Sequence, residues 1–470
     1  MFLRQIHNPG LAQYAYLIGC QRTGEAVVID PLRDVDQYLA IAAENDLRLT
    51  AAAETHIHAD FLSGVRQLVE KHGAKACVSG LGGADWQSEW ARENPAVRVL
   101  ADGDSFHVGK IEIRAVHTPG HTPEHLSYLV IDHGGGAEEP ALFLTGDFIF
   151  VGDVGRPDLL ESAAGVAGAM EPSARTLYAS LRKTAGLPGH LQVLPAHGAG
   201  SACGKALGAV PSSVLDYERL YNRPLREALE EDEQVFVDDI LHGQPEPPRY
   251  FARMKRDNKL GPKVLEALPR PNRWTRSDLE NSGDLDPWFL DLRHDKATFM
   301  RHHLRGSLHC PLQGVNVSMV AGSYIDDDEA VVLLVEDEGQ VDEAVRQLVR
   351  IGLDRISGWM PAGEALEWAA EVGLMAKTER MKGAGLTPAT GVILDVRTSV
   401  EHEAGAVPGA VNISSTRLRA RHDEIPQGGP IYVHCGTGKR ASFVVGYLER
   451  LGREVVWVDG PVPTGSACAV

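Results

Sequence analysis

Cysteine is scarce in this chain. There are six in 470 residues, at positions 20, 77, 203, 310, 435 and 468, and no two form a C-x-x-C pair. A disulfide framework or a structural zinc knot needs clustered thiols, so the scarcity argues against both and each cysteine must be judged alone. Long apolar runs are lacking as well. None approaches the ~18 residues that would span a bilayer, and the opening Met1-Phe-Leu-Arg-Gln-Ile-His-Asn-Pro-Gly10 has no apolar stretch of the signal-peptide kind. A soluble, cytoplasmic protein without a membrane partner is expected. Positive charge is in deficit, with 46 Lys and Arg against 64 Asp and Glu and a net charge of −18. That balance argues against nucleic acid as a partner and requires a local basic site for any anionic substrate. What is present is globular: 43% hydrophobic and 23% charged residues, with 49 glycines. The length suits about three domains.

Residues 1 to 240 alternate short apolar runs with Gly-, Pro-, Asp- and His-containing loops. Examples are Glu25-Ala-Val-Val-Ile-Asp-Pro31, Ile111-Glu-Ile-Arg-Ala-Val116 and Ala141-Leu-Phe-Leu-Thr145. They read as strands ending in polar loops, with helical patterns at 35–44 and 63–72 between them, and so as an α/β domain with chemistry at strand ends. From 242 to 274 six prolines break any regular element, and Arg249, Arg253, Lys255 and Arg256 make a basic stretch. A linker is expected there, with a basic anchoring surface as the alternative. Beyond it lies a repeat. Val331-Val-Leu-Leu-Val335 parallels Ile431-Tyr-Val-His-Cys435, and Leu348, Arg350 and Gly352 match Leu448, Arg450 and Gly452 at the same offset of 100. Leu290-Asp-Leu-Arg293 parallels Leu394-Asp-Val-Arg397. Two copies of one α/β unit account for this.

Thr55-His-Ile-His-Ala-Asp-Phe61 spaces His56, His58 and Asp60 by two, so a strand-end loop can turn all three to one side. Imidazole with carboxylate suits a first-row transition metal. Thr118-Pro-Gly-His121, Leu144-Thr-Gly-Asp147 and Leu194-Pro-Ala-His197 each add a ligand-type residue just past an apolar run. The set resembles the metallo-β-lactamase superfamily, which implies an αββα sandwich. Thr145-Gly-Asp-Phe-Ile-Phe-Val-Gly-Asp-Val-Gly-Arg156 is similar to the T-G-D…G-R signature of its glyoxalase II and persulfide dioxygenase branch. The superfamily's H-x-H-x-D-H pattern has Phe61 in its last place, and a phenyl ring binds no metal, so one metal is favoured over two. The resemblance to persulfide dioxygenases implies one Fe(II) per chain on His56, His121 and Asp147, with His58, Asp60 and His197 orienting ligands and water around them. The rival set is His56, His58 and His121 holding zinc. Nearby, His117 reads as a core or edge histidine and His125 as a second candidate for the pocket. Arg156 reads as an ion-pair anchor for the loop of Asp147, or a substrate contact. Cys203 either lines the substrate entrance or is simply packed, and Cys20, Cys77 and Cys310 read as ordinary core or semi-buried thiols.

Pro430-Ile-Tyr-Val-His-Cys435-Gly-Thr-Gly-Lys439-Arg440 leads a buried strand into a glycine-containing loop and then an apolar helix. Inward backbone N–H groups, the helix N-terminus, Lys439 and Arg440 would favour a nucleophilic Cys435 thiolate. Four residues separate Cys435 from Arg440, a tighter ring than the H-C-x₅-R loop of cysteine phosphatases. This resembles the rhodanese (sulfurtransferase) family, as do Asp395-Val-Arg397 and His402…Pro408-Gly-Ala-Val-Asn412. The first copy has Val335 in place of the cysteine, followed by Glu336-Asp-Glu338, so it reads as non-catalytic. The closing segment 460–470 departs from the family pattern, and Cys468 within it is expected to be exposed.

The resemblances together imply an α/β chain with a metallo-β-lactamase sandwich at 1–245, a Pro-rich linker at 246–274, a non-catalytic rhodanese-like domain at 275–372 and a catalytic one at 373–470, both with parallel sheets. The implied enzyme oxidises a small thiol persulfide with O₂ to sulfite and thiol, and exchanges sulfane sulfur with sulfite or thiosulfate through Cys435. A homo-oligomer, dimer or tetramer, is expected. Two alternatives stay open: a glyoxalase II-like thioester hydrolase with an appended rhodanese, and a rhodanese pair acting only as a sulfur carrier or docking module.

Overall fold

The computed structural model describes residues 1–163, 165–387 and 390–463; Cys468 lies outside them. The chain divides into two compact units, 1–244 with 251–267, and 245–250 with 268–470. Among the described residues no helix is long and apolar enough to cross a membrane.

The first unit holds two six-stranded sheets. One runs in sequence order through Phe2–Asn8, Gln13–Cys20, Glu25–Ile29, Arg48–Ala53, Lys75–Ser79 and Val97–Leu100, antiparallel at first and parallel from Glu25–Ile29 onward. The other orders Ser213–Val214, Gln192–Pro195, Leu142–Gly146, Leu126–Asp132, Ile111–His117 and Ser105–Val108. Alternation sets the core: in Ile111–His117 the side chains of Ile111, Ile113 and Ala115 are buried while Glu112 and Arg114 are partly exposed. Those three pack with Tyr16, Ile18, Val27 and Ile29 of the facing sheet, which makes the layer between the sheets. A second core lies on the outer face of Leu142–Gly146 and Gln192–Pro195, where Phe143 and Val193 meet Leu177 and Leu181 of helix Met170–Lys183 and Phe236 of helix Glu233–Leu241. Helix Val65–His72 covers the first sheet with Val65, Leu68 and Val69. The result is the αββα sandwich expected above.

The stretch expected as a linker is divided. Residues 251–267 belong to the first unit and contain helix Phe251–Leu260. Phe251, Met254, Lys255 and Asn258 recur at helical spacing and are buried, so the prolines bound this helix rather than abolish it.

In the second unit every strand of the two larger sheets runs parallel. One sheet orders Leu308–His309, Trp288–Asp291, Val331–Val335 and Ile356–Pro361. The other orders Val411–Asn412, Val392–Asp395, Ile431–His434, Val455–Asp459 and Glu379–Lys382. The first four strands of each follow the same order, as the offset of about 100 in the sequence requires. A clasp recurs with them: Arg293 grips both oxygens of Asp291, and Arg397 both oxygens of Asp395. The copies are joined by helix Lys439–Arg450, where Gly446 passes so close to Ser307 that a Cβ would sit 1.9 Å from its carbonyl oxygen. Glu449 on the same helix receives His303 and the backbone N–H of Gly306. Residues Met375–Ala376, placed at the start of the last domain from sequence, pair instead with His303–Leu304.

Candidate metal centre and cysteine loop

Five strand ends of the first unit converge. Asp30, just past Glu25–Ile29, organises the histidine turn: its carboxylate accepts the Thr55 N–H at 2.7 Å and the Thr55 hydroxyl at 2.9 Å. Thr55 Oγ1 then takes up His56 Nδ1 at 2.9 Å. His121 Nδ1 donates to the Arg156 carbonyl at 2.9 Å. Both imidazoles therefore have Nδ1 engaged and Nε2 left to face Asp147, whose Oδ2 lies 3.9 Å from His56 Nε2 and 3.4 Å from His121 Nε2. His56, His121 and Asp147 are all buried, and each offers a ligand atom within 4.8 Å of the others.

Asp147 is held from every side but one. Its N–H donates to His125 Nε2 at 3.0 Å, and its Oδ1 accepts from His197 Nδ1 at 2.8 Å. Oδ2 is buried with no hydrogen-bond partner. A buried carboxylate oxygen without a donor is costly. Here it lies 3.9 and 3.4 Å from two imidazole nitrogens whose rings have Nδ1 already engaged, an arrangement a bound cation satisfies. Protonation states agree. Burial, reinforced by the neighbouring histidines, holds His56 well below its ordinary value, and burial likewise lowers His121. Burial alone would raise Asp147, but the charge and hydrogen bond of His197 outweigh it and keep the carboxyl well below the usual range. Neutral imidazoles beside an ionised carboxylate are what a metal needs.

His197 also reaches Asp60 Oδ2 through Nε2 at 2.9 Å, so Asp147, His197 and Asp60 form one chain. Cys203 joins the far end: Asp60, His197 and Cys203 are a second group of donors within 4.8 Å. Burial pushes the Cys203 thiol up to about 12. His58 takes no part in the trio. Its Nε2 lies 3.1 Å from Asp30, and Phe61 stacks on its ring at 4.2 Å. Phe61 thus occupies, fully buried, the place where the superfamily pattern has a histidine. Arg156 spends its guanidinium on both oxygens of Asp158 and on the Ala202 carbonyl, while its own carbonyl holds His121, so it anchors the loop and does not present its charge to a substrate. Gly155 completes the signature because a Cβ there would lie 1.8 Å from the Asp147 carbonyl oxygen.

Sequence reasoning missed three contributors. Asp30 was visible only as the polar end of a strand. Asn258, from the stretch expected as a linker, donates to the carbonyls of His58 and Phe61 and accepts from Ser63 N, and so pins the histidine turn. Lys255 lies 3.9 Å above the Trp86 ring, and burial lowers its ammonium to about 8. Asn258 had no local signal, and Lys255 was visible only as one charge of the basic stretch, from whose expected surface its burial removes it.

In the second unit Cys435 is buried at the end of Ile431–His434. Gly438, at φ +76°, turns the loop into helix Lys439–Arg450. Arg440 forms two hydrogen bonds to Glu401 at 2.5 and 2.7 Å. Glu401 is drawn down to about 2, chiefly by that guanidinium. The Lys439 ammonium sits 5.9 Å over the Phe443 ring. In the first copy Val335 is equally buried, and the turn after it is closed by the Gln340 side chain on Glu336 N and the Asp337 carboxylate on Gly339 N.

Residues 8–197 match the metallo-beta-lactamase superfamily and 377–462 the rhodanese-like domain. The mitochondrial persulfide dioxygenase ETHE1 of Bos taurus is 33% identical over 202 residues, which are 42% of this chain and 68% of that protein. The hydroxyacylglutathione hydrolase of Rhodospirillum rubrum is 32% identical over 185 residues, 39% of this chain and 61% of that protein. Among solved structures, a metallo-beta-lactamase from Staphylococcus aureus subsp. aureus COL matches with a TM-score of 0.68 and 37% identity, over 77% of this chain and 99% of that one.

Proposed function

Because the chain belongs to the metallo-β-lactamase superfamily and carries a rhodanese-like domain behind it, we propose that it is a bifunctional enzyme of sulfur metabolism. Its first unit oxidises a low-molecular-weight thiol persulfide, and Cys435 transfers sulfane sulfur. The observation that carries the first activity is the unpartnered Asp147 Oδ2 between two imidazole nitrogens, in a site where Phe61 replaces the further histidine. His56, His121 and Asp147 would hold one Fe(II), with zinc as the alternative. A bound Fe(II) supplies open positions where O₂ and the persulfide sulfur can meet. The reaction balances as persulfide, O₂ and water giving thiol, sulfite and two protons.

The chain's own residues prepare that chemistry. Thr55 and the Arg156 carbonyl keep protons on the Nδ1 atoms of His56 and His121, so both Nε2 atoms stay available. His197 holds a proton between Asp147 and Asp60, which fixes Oδ1 of Asp147 and aims Oδ2 inward. Cys435, Arg440 and Lys439 form the transfer loop at 373–470. The copy at 275–372 is its non-catalytic counterpart, with Val335 in place of the nucleophile.

The second reading, a thioester hydrolase, is favoured by the likeness to hydroxyacylglutathione hydrolase. Phe61 counts against it, because it removes a ligand from a second metal position. Metal analysis of protein purified without oxygen, with O₂ uptake on a persulfide, separates the two. One iron per chain with persulfide-dependent uptake and sulfite release is expected. Two zincs per chain with thioester hydrolysis would overturn the proposal.

A further inference from the structure

A chain this acidic needs a local cation for any anionic group it handles, and Arg156, which the sequence offered beside Asp147, is consumed by Asp158. Lys255 is not consumed. It is buried on helix Phe251–Leu260, with 8% of its surface exposed. Its ammonium lies 3.9 Å over the Trp86 ring. Among the described residues it has no hydrogen-bond acceptor, and the opposing charge that it feels is that of Glu124. A ring face returns part of the lost hydration, but an ammonium has three N–H donors to satisfy. A buried cation left in this state is costly. Groups that break the packing rules in this way gather at functional sites.

The cluster around Lys255 leads to the proposed ligands. Glu124 accepts the Ile57 N–H at 2.8 Å, and Ile57 stands between His56 and His58. Gly82 lets Trp86 close on Glu124: a Cβ there would lie 2.8 Å from Glu124 N and 2.9 Å from Trp86 Cβ. Glu124 itself is three residues past His121, and the charge of Lys255 reaches that imidazole, where it opposes protonation. The same helix carries Asn258, which pins the histidine turn. Lys255 thus stands beside the candidate metal centre with its hydrogen bonds unmade. The reaction proposed above ends in sulfite and two released protons, so negative charge builds on the outer sulfur as it gains oxygen. A fixed cation stabilises most where charge develops.

We propose that Lys255 is the counter-charge for the sulfur oxyanion: its ammonium, held over Trp86, donates hydrogen bonds to the oxygens of the oxidised sulfur and retains sulfite until it leaves. This rests on the persulfide-oxidising reading given above. Lys255 makes and breaks no covalent bond. It serves the sulfur end of the substrate, whichever thiol carries it.

The test uses the full, metal-loaded chain and Lys255→Met, which keeps the length and removes the charge. Without oxygen, sulfite should change the emission of Trp86, read as the signal that Trp86→Phe removes. Half-saturation is expected to need at least about tenfold more sulfite in Lys255→Met, because a hydrogen bond to a charged group is worth roughly that factor or more. No sulfite-dependent Trp86 signal in the parent, or the same half-saturation in the variant, overturns the proposal. With O₂ present, kcat for glutathione persulfide and for 2-mercaptoethanol persulfide, which lacks carboxylates, should fall by about tenfold or more and by a common factor. A loss confined to glutathione persulfide would assign Lys255 to the carrier's carboxylates and overturn it. Removing a buried cation that has no acceptor should leave the unfolding temperature at or above that of the parent. A marked fall with kcat unchanged would make Lys255 a structural cation and overturn it too. Sulfite binding that Lys255→Met weakens, in a chain that takes up no O₂ with either persulfide, would sink the persulfide-oxidising reading and leave the anion site assigned.

Discussion

The metal centre and the cysteine loop solve opposite problems. At the first, every proposed ligand is buried, and the ligands and their supports come from five strand ends and a helix about 200 positions away. At the second, one strand and one helix carry the thiol and its loop, with Glu401 of a neighbouring helix holding Arg440, and Gly436, Thr437 and Lys439 around the buried thiol are exposed. A metal needs several donors at fixed distances, so its cage is braced from all sides. A sulfur carrier needs one nucleophile and access for its partners. The difference teaches that the first site depends on many distant supports, whereas the second leaves its reactive loop accessible.

The hardest break is Asp147→Ala. It should lower metal retention and O₂ uptake by more than roughly 100-fold, while transfer from thiosulfate to cyanide survives; iron analysis and an oxygen electrode read both. Retained iron and uptake would show that the cage is built on other residues. Cys435→Ser should abolish sulfur transfer, leave persulfide-dependent O₂ uptake near the parent level and let sulfite accumulate. If uptake stops while iron stays bound, the two regions act as an obligatory relay and the contrast fails.

A subtler probe is Asn258→Ala, which removes three buried hydrogen bonds from the histidine turn without touching a ligand. A loss of about 3 kcal/mol in stability is expected, with weaker iron retention; unfolding curves and metal content check it. The smallest effect is expected from Val335→Cys in a Cys435→Ser background. Transfer should stay at background, because Glu336–Glu338 disfavour a thiolate there. Strong transfer by that double variant would mean the loop's charge is irrelevant.

What the sequence made legible follows the same divide. His56, His121, Asp147 and His197 each follow an apolar run, which marked them as candidates; the resemblance to persulfide dioxygenases, not the pattern, singled out His56, His121 and Asp147 as the proposed ligands. The offset of 100 between the copies foretold the common strand order. Asn258 and Lys255 were not legible, because a helix framed by prolines presents no pattern that says what it packs against. His58 looked equivalent to His56 in the motif. In the structure Asp30, at the end of a different strand, takes up His58 Nε2 and the Thr55 N–H, and so sets the two histidines apart. Arg156 showed its charge in the sequence but not Asp158, which consumes it.

The glycine at 446 has a consequence for modularity. A helix that runs within van der Waals contact of a neighbouring carbonyl, and whose next turn is hydrogen-bonded into the same neighbour, is no longer a separable part. The two copies began as interchangeable pieces in their sequence pattern, yet neither can be cut out, swapped or inserted elsewhere without leaving that seam open. For anyone assembling chimeric enzymes from this chain, the smallest portable piece of the second unit is the pair.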